Sequence, residues 1–199
     1  MKQQKKKKEQ EVETSKGTQV KRFIVQQTDG RPVIEMPKTP WEKKIDFCCL
    51  LFLVMQTVQV AFSWRSLPAK IDTAFALSGQ AMNTSGKGTL LIILGLSWFL
   101  YIFLSFFSRH PYGFNYPIEV TKKNAKKLYT LGSMMMAWVK LLLIVLFTNT
   151  VLSSVALGLG NNPGPSVYIT YGVSAGTLIV LVYYLMQMRK LKDEPADKK

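Results

Sequence analysis

Four stretches of the chain are apolar enough to cross a lipid bilayer. A membrane-spanning helix needs about 20 mostly apolar residues. The segments that meet this requirement are residues 45–64, 89–107, 141–159 and 167–186. Charge is concentrated between and outside these segments, which is the separation that a bilayer imposes and a soluble core does not. The pattern predicts an all-α integral membrane protein with four transmembrane helices, in a membrane domain of residues 45–186.

The third span is the hardest to place, because low-polarity sequence runs from Leu128 to about Leu159 and Lys140 divides it. A span centred on Lys140 would put an ammonium at mid-membrane, with no acidic residue in any span interior to pair with, at about 3 kcal/mol. A span at 141–159 instead places Lys140 at the interface, where its side chain reaches water. We therefore expect an interfacial helix over residues 122–139, before the third span.

Lysine and arginine are distributed very unequally between the two sides of the membrane. The tails (residues 1–44 and 187–199) and the segment 108–127 hold 22 of them, against 3 in the segments 65–88 and 160–166. Cytoplasmic segments carry such an excess, so the chain is expected in the plasma membrane with both termini in the cytoplasm. In this setting the net charge of +14 indicates attraction of the basic tail and the inner loop to anionic inner-leaflet lipid, and no nucleic-acid partner is expected.

The amino-terminal tail, residues 1–44, is expected to be mostly disordered, because its charged, low-complexity start cannot bury enough surface to fold. Short apolar runs on either side of Asp29 and Gly30 have the spacing of a β-hairpin. A lone hairpin is only marginally stable, so this segment is either a docking element or has no structure, and we favour the second. Residues 187–199 are expected to form a short solvated tail.

The outer loop, between the first two spans, has 24 residues, and long ordered loops tend to be functional. Leu67, Ile71 and Phe75 recur every four residues, which predicts a short amphipathic turn or helix on the outer leaflet. The residues expected to contact a peptide or a lipid are Trp64, Leu67, Pro68, Ile71, Phe75, Gly79 and Lys87. A plain surface loop with an apolar anchor is an equal alternative.

The inner loop, between the second and third spans, is the other patterned region. Its prolines keep the chain extended, Thr121 is a candidate N-cap for the following helix, and lysines group on one side of that helix, as at an anionic leaflet. The candidate inner-loop motif comprises Pro111, Phe114, Asn115, Tyr116, Pro117, Asn124 and Tyr129.

Polar side chains inside the spans are arranged in stripes. Gln56, Gln59 and Ser63 share one face of the first span, and Ser97, Tyr101 and Ser105 share one face of the second. Such groups usually make interhelical hydrogen bonds of about 0.6–2 kcal/mol; a path for a polar ligand is the alternative. Gly172 and Gly176 form a small-xxx-small pattern that predicts close helix packing, within the bundle or with a protein partner or second copy.

No combination of residues predicts catalysis or a bound cofactor. His110 is the one histidine, so a site with paired histidine ligands is impossible. Cys48 and Cys49 are adjacent, and neighbours on a helix do not face each other. Asp46 and Asp72 fall on opposite sides of the membrane and cannot act as an acid/base pair. We expect a non-enzymatic protein without metal or cofactor.

The two loops resemble a known family. In the outer loop an aromatic residue is followed by Leu67-Pro68, Ile71, Phe75, Gly79 and Gly86-Lys87. This signature resembles a widespread bacterial multi-pass membrane domain of unknown function, which also forms the amino-terminal half of sporulation-delay toxin immunity proteins. The inner sequence Phe114–Pro117, with Asn124 and Tyr129, is similar to the same family. The resemblance covers about residues 41–151.

The resemblance implies a bacterial origin and a role in envelope defence, immunity or the sensing of a peptide or lipid. The family usually has Pro-x-His-Phe where this chain has Asp72-Thr73-Ala74-Phe75, so a role of that histidine does not transfer. The immunity proteins also add a second membrane half. The alternative function is an accessory or small subunit of a membrane transporter complex.

Overall fold

The computed structural model describes residues 24–28, 31–34, 37–75, 81–121, 124–162 and 164–191. Its elements are, in chain order, β1 (Ile24–Thr28), β2 (Arg31–Ile34), α1 (Pro40–Ser63), β3 (Lys70–Phe75), β4 (Ala81–Gly86), α2 (Gly88–Ser108), a 3₁₀ turn (Pro111–Gly113), α3 (Ala125–Gly158) and α4 (Ser166–Lys190). All four helices are long and apolar enough to span a membrane. The predicted all-α membrane fold with four such helices is confirmed.

Helix α1 begins at Pro40, five residues before the predicted span. Thr39 accepts a hydrogen bond from the backbone N–H of Glu42 at 3.3 Å, and the Glu42 carboxylate accepts from the backbone N–H of Thr39 at 2.5 Å. This capping box satisfies two N–H groups that the first turn leaves free, and proline is favoured at the first helical position. Asp46 consequently lies inside the helix, in its second turn.

Helix α3 is one continuous helix of 34 residues. At 1.5 Å per residue it is about 51 Å long, whereas the hydrocarbon core of a bilayer is about 30 Å thick. The helical stretch expected before the third span is therefore present, and it continues into the span without a break. Roughly 14 residues of α3 exceed what one crossing needs.

Helix α3 is also the centre of the bundle, since α1, α2, α4 and β3 all pack against it. Two clusters of apolar side chains fill the interfaces between α3 and these elements. The terminal cluster, near the start of α1, consists of Ile45, Cys49, Leu53, Ala137 and Ile144, with partly buried neighbours that include Trp98 and Tyr101. The hairpin cluster, near β3, consists of Val60, Leu67, Ile71, Leu90, Val151 and Val155, with Trp64 and Ile93 beside it. We call the two ends of the bundle the terminal end and the hairpin end.

Strands β3 and β4 form an antiparallel hairpin, in which Lys70 pairs with Gly86 and Phe75 with Ala81. The predicted amphipathic turn or helix in this loop is wrong. A spacing of four residues fits a helix face, but it is also a multiple of the two-residue period of a strand. The apolar pattern therefore could not separate the two structures.

Strands β1 and β2 form a second antiparallel hairpin, with Ile24 opposite Ile34 and Val25 opposite Val33. The favoured interpretation, that this segment has no structure, is wrong, while a docking role of the hairpin stays a prediction. The expected disorder of the amino-terminal tail falls mainly on residues 1–23, which lie outside the described part of the chain, as does the carboxyl-terminal tail after residue 191.

Helix α4 packs against α3 but leaves most of its large apolar side chains exposed. No residue in its central apolar stretch is buried, and Tyr168, Leu178 and Ile179 are among its exposed side chains. A Cβ atom added at Gly172 or Gly176 would meet no atom within 4 Å among the described residues. The predicted small-residue packing is therefore not used within this bundle, and that surface faces lipid or another chain.

Candidate functional site

The β3–β4 hairpin is held against the end of α3. Leu67 and Ile71 are 4% and 3% exposed and belong to the hairpin cluster. A Cβ atom at Gly158 would lie 2.6 Å from Leu67 Cδ2 and 3.1 Å from Ile71 Cγ2. Because real side chains do not approach so closely, glycine is what allows the hairpin to sit here. We call this contact the hairpin seat.

The hairpin seat divides the predicted outer-loop residues into two groups. Leu67 and Ile71 pack inside the protein, so the expectation that they face the bilayer is wrong, while contact of this set with a ligand stays a prediction. They face inward because α3 presents an apolar notch at Gly158. The backbone N–H and C=O groups of β3 and β4 remain hydrogen-bonded to each other in this position.

Other members of the outer-loop set stay nearer the surface. Trp64 is half-buried beside the hairpin cluster, and the Lys87 ammonium lies 5.1 Å from the centre of its ring. Pro68 is exposed. Phe75 occupies the last position of β3, but its side chain lies outside the described structure, as does Gly79.

The loop between α2 and α3 is seated near the other end of α3. A Cβ atom at Gly132 would lie 2.6 Å from Tyr116 Oη and 3.2 Å from Phe114 Cδ2. The Tyr116 hydroxyl donates to the backbone carbonyl of Pro111 at 2.7 Å, and its ring lies 5.7 Å from that of the fully buried Tyr129. The structure therefore brings four residues of the predicted inner-loop motif together over one glycine. We call this contact the loop seat.

The remaining motif residues have other positions. Asn124 accepts from the backbone N–H of Thr121 at 2.8 Å and donates to the carbonyl of Glu119 at 3.0 Å. Thr121 in turn accepts from the N–H of Asn124 at 3.3 Å, so it caps the turn that leads into α3, while the N-cap itself is Asn124. Asn115 and Pro117 are exposed and take no part in the seat.

A buried ion pair joins α1 to the middle of α3. Lys140 is 1% exposed, and its ammonium donates to Oδ1 of Asp46. The prediction that the Lys140 side chain reaches water is therefore wrong, and Asp46 of α1 supplies the acidic partner that was not expected within a span. The early start of α1 brings Asp46 within the helix and level with Lys140, and an ammonium so paired needs no water.

Three further side chains complete this ionic layer. Lys38 pairs with Oδ2 of Asp46, so each carboxylate oxygen has a lysine partner. Lys140 also donates to Ser105 Oγ at 3.0 Å, and its ammonium lies 5.3 Å from the centre of the Tyr101 ring. Two of the three residues in the predicted polar stripe of α2 thus serve the buried lysine. The layer carries two positive charges and one negative charge.

Sequence reasoning missed Asp46 and Lys140 as a pair, and Gly132 and Gly158 as seats. For the pair a signal existed, because Thr39-x-x-Glu42 is a capping-box pattern that starts α1 at Pro40. For the glycines no local signal exists, since each is defined by side chains that arrive from a distant loop.

The described residues contain no group of three or more His, Cys, Asp or Glu side chains that could hold a metal ion. Comparison with models of protein families, with curated proteins and with solved structures gave no match. The resemblance to the bacterial membrane domain therefore stays a prediction.

Proposed function

We propose that this chain is a non-enzymatic multi-pass membrane protein that senses a peptide or a lipid in the service of envelope defence. The hairpin end is the receiving surface, and the loop between α2 and α3 is the surface that meets a partner. The charge distribution supports a plasma-membrane location with the hairpin outside and both termini in the cytoplasm. The bacterial setting rests on the resemblance of the two loops.

The observation that carries this proposal is that both ordered loops are seated on the same uninterrupted helix. The hairpin seat uses Gly158 and the loop seat uses Gly132, 26 residues apart on α3. That separation is about 39 Å along the helix axis, enough to pass through a bilayer core. A rigid helix with a folded element fitted at each end can transmit a displacement from one to the other.

The proposal is tested by disturbing one seat and observing the other. Gly158→Leu places a side chain where Leu67 and Ile71 now lie, whereas Gly95→Leu, on the open face of α2, is the matched control. Two reporters are used one at a time, in a chain with both native cysteines replaced by serine: Ser66→Cys beside the hairpin and Asn115→Cys in the α2–α3 loop, both at exposed positions.

We expect Gly158→Leu to raise the rate of maleimide labelling at residue 66 and also to change it at residue 115, while Gly95→Leu changes neither. An unaltered rate at residue 115, with an altered rate at residue 66, would show that the loops are independent and would overturn the relay. In intact cells a membrane-impermeant maleimide should label residue 66 only; labelling of residue 115 would reverse the proposed orientation.

Protection is tested in a bacterium that is sensitive to membrane-active toxin peptides. Expression of the wild-type chain should raise survival against at least one peptide of a panel, Gly158→Leu should abolish this gain, and Gly95→Leu should retain it. Equal survival with and without the wild-type chain across the panel would count against the defence role.

A second candidate function is an accessory subunit of a transporter, which the uncovered face of α4 favours. Gly172 and Gly176 lie open on that face, where the backbone of another helix could approach closely. Copurification from mild detergent separates the two functions, because a transporter accessory is recovered with a larger membrane protein and a sensor of this kind is not.

A further inference from the structure

A second polar layer crosses the bundle between the terminal cluster and the hairpin cluster. Along α1, Gln56 lies between Leu53 of the first cluster and Val60 of the second. On α3, Thr148 lies in the corresponding gap between the residues of the two clusters, and on α2 so does Ser97. Because the clusters on both sides join these helices, the three polar residues share one level of the bundle.

This neutral layer is buried and incompletely hydrogen-bonded. Gln56 and Ser97 are 0% exposed and Thr148 is 2% exposed. Neither Nε2 nor Oε1 of Gln56, nor Oγ1 of Thr148, has a hydrogen-bond partner among the described residues. Ser97 donates to the carbonyl of Ile93 at 2.8 Å, which leaves the lone pairs of its hydroxyl able to accept.

Unpartnered amide and hydroxyl groups are costly in an apolar interior, and costlier where surrounding lipid supplies no alternative. The neighbouring Thr57 hydroxyl is already engaged, because it donates to Leu53 O at 2.6 Å and accepts from Trp98 Nε1 at 3.2 Å. A small polar molecule that entered the layer would supply the partners that these groups lack.

The chemistry of the unpartnered atoms selects the ligand. Gln56 offers both a donor and an acceptor, and Thr148 offers a hydroxyl that can do either. A chloride ion would accept from both but leave Gln56 Oε1 unpaired. A cation would lie about 12 Å along α3 from Lys140, in the field of an ionic layer with excess positive charge. Water donates and accepts, and a buried water typically makes about three hydrogen bonds.

We propose that Gln56 and Thr148 form an internal hydration site in the middle of the bundle, with water bridging α1 to α3 and Ser97 as a further acceptor. The site is separate from both loop seats and does not depend on the proposed sensing role.

A double-mutant cycle tests the bridge, measured as thermal unfolding in lipid nanodiscs. Gln56→Leu and Thr148→Val each remove one end of the bridge. Each should lower the unfolding midpoint by about 2–4 °C. The midpoint of the double variant should fall no further than that of the less stable single variant, because the same bridge is removed in all three.

Thr150→Val is the matched control, because the Thr150 hydroxyl bonds within α3 to Leu146 O at 3.0 Å. Its effect on the midpoint should add to that of Gln56→Leu without coupling. Additive effects of Gln56→Leu and Thr148→Val, or a raised midpoint in Gln56→Leu, would overturn the proposal.

Infrared spectroscopy identifies the ligand. The wild-type protein should show a buried-water band that shifts in H₂¹⁸O, is lost in Thr148→Val and is retained in Thr148→Ser, which keeps the hydroxyl. The two Thr148 variants show whether the ligand is water even if Gln56→Leu fails to fold. Absence of the band from the wild type would overturn the proposal, as would a midpoint that depends on chloride when chloride is exchanged for gluconate.

Discussion

Two polar layers lie between the apolar faces of α1 and α3, and they differ in how their hydrogen-bonding groups are occupied. In the ionic layer each oxygen of Asp46 has a lysine partner, and Lys140 has Asp46 and Ser105. In the neutral layer Gln56 and Thr148 have no partner among the described residues.

The difference follows from what each layer contains. An unpaired charge in an apolar interior is far more costly than an unpaired amide or hydroxyl. A charged layer therefore has to be completed by the protein itself, whereas a neutral layer can be completed by a small molecule. An ionisable residue inside a membrane domain is usually the first candidate for a functional site, but here its groups are already used to join α1, α2 and α3. Of the two layers, the neutral layer is therefore the better candidate for holding a small molecule.

The largest expected effect comes from removing the one negative charge of the ionic layer. Asp46→Asn leaves the buried ammonium of Lys140 uncompensated, which costs about 3–5 kcal/mol when one partner of a buried pair is lost. We expect a fall of roughly 6–20 °C in the unfolding midpoint in nanodiscs. Glu119→Gln neutralises an exposed carboxylate and is the control, with no change expected. A midpoint for Asp46→Asn within 2 °C of that control, on the order of 1 kcal/mol, would contradict the layer as described.

A smaller effect is expected from the hydroxyl that supports Lys140. Ser105→Ala removes its hydrogen bond to the ammonium, and interhelical bonds in membrane proteins are worth about 0.6–2 kcal/mol. Ser174→Ala is the control, because that exposed hydroxyl bonds to Thr170 O of its own helix at 2.7 Å. In chemical unfolding the first variant should be less stable than the second; equal stabilities would mean that Ser105 contributes nothing to the layer.

The sequence was sufficient to predict the four apolar helices, because a bilayer requires long uncharged segments and hydropathy measures them directly. It was not sufficient to predict that Lys140 is buried and paired with Asp46, although the capping-box pattern that explains the pairing lies in the same sequence. Hydropathy placed the first span at residue 45, so Asp46 appeared to lie at the membrane boundary. The capping box at Thr39 and Glu42 starts the helix more than one turn earlier, at Pro40. Asp46 therefore lies within the helix, where it pairs with Lys140.

The β3–β4 hairpin shows a different limit of prediction from the sequence. The four-residue spacing of Leu67, Ile71 and Phe75 fits a strand as well as a helix, and the side that Leu67 and Ile71 cover depends on the notch at Gly158. A glycine near the end of a long apolar helix carries no local sign of that role. The inner motif was selected through its resemblance to a bacterial membrane domain, and the structure brings Phe114, Tyr116 and Tyr129 of that motif together. Their glycine seat was not predictable, because contacts between distant segments arise only from the fold.

The smallest change in stability is expected from a double variant that removes the buried pair of the ionic layer as a whole. It is also the sharpest test of the comparison between the two layers, because no buried charge is left without a partner. In the double variant Asp46→Leu with Lys140→Leu, the buried pair is replaced by apolar side chains, a change that is often neutral or stabilising in proteins. Lys38 keeps a route to water, since its side chain is 26% exposed, and the Ser105 hydroxyl can bond to a carbonyl of its own helix. We therefore expect the double variant to unfold within about 1 kcal/mol of the wild type, well above Asp46→Asn. If the double variant is as unstable as the single one, the ionic layer contributes more to stability than the mutual neutralisation of its charges, and the account of the layer as a self-completed charge pair would be overturned.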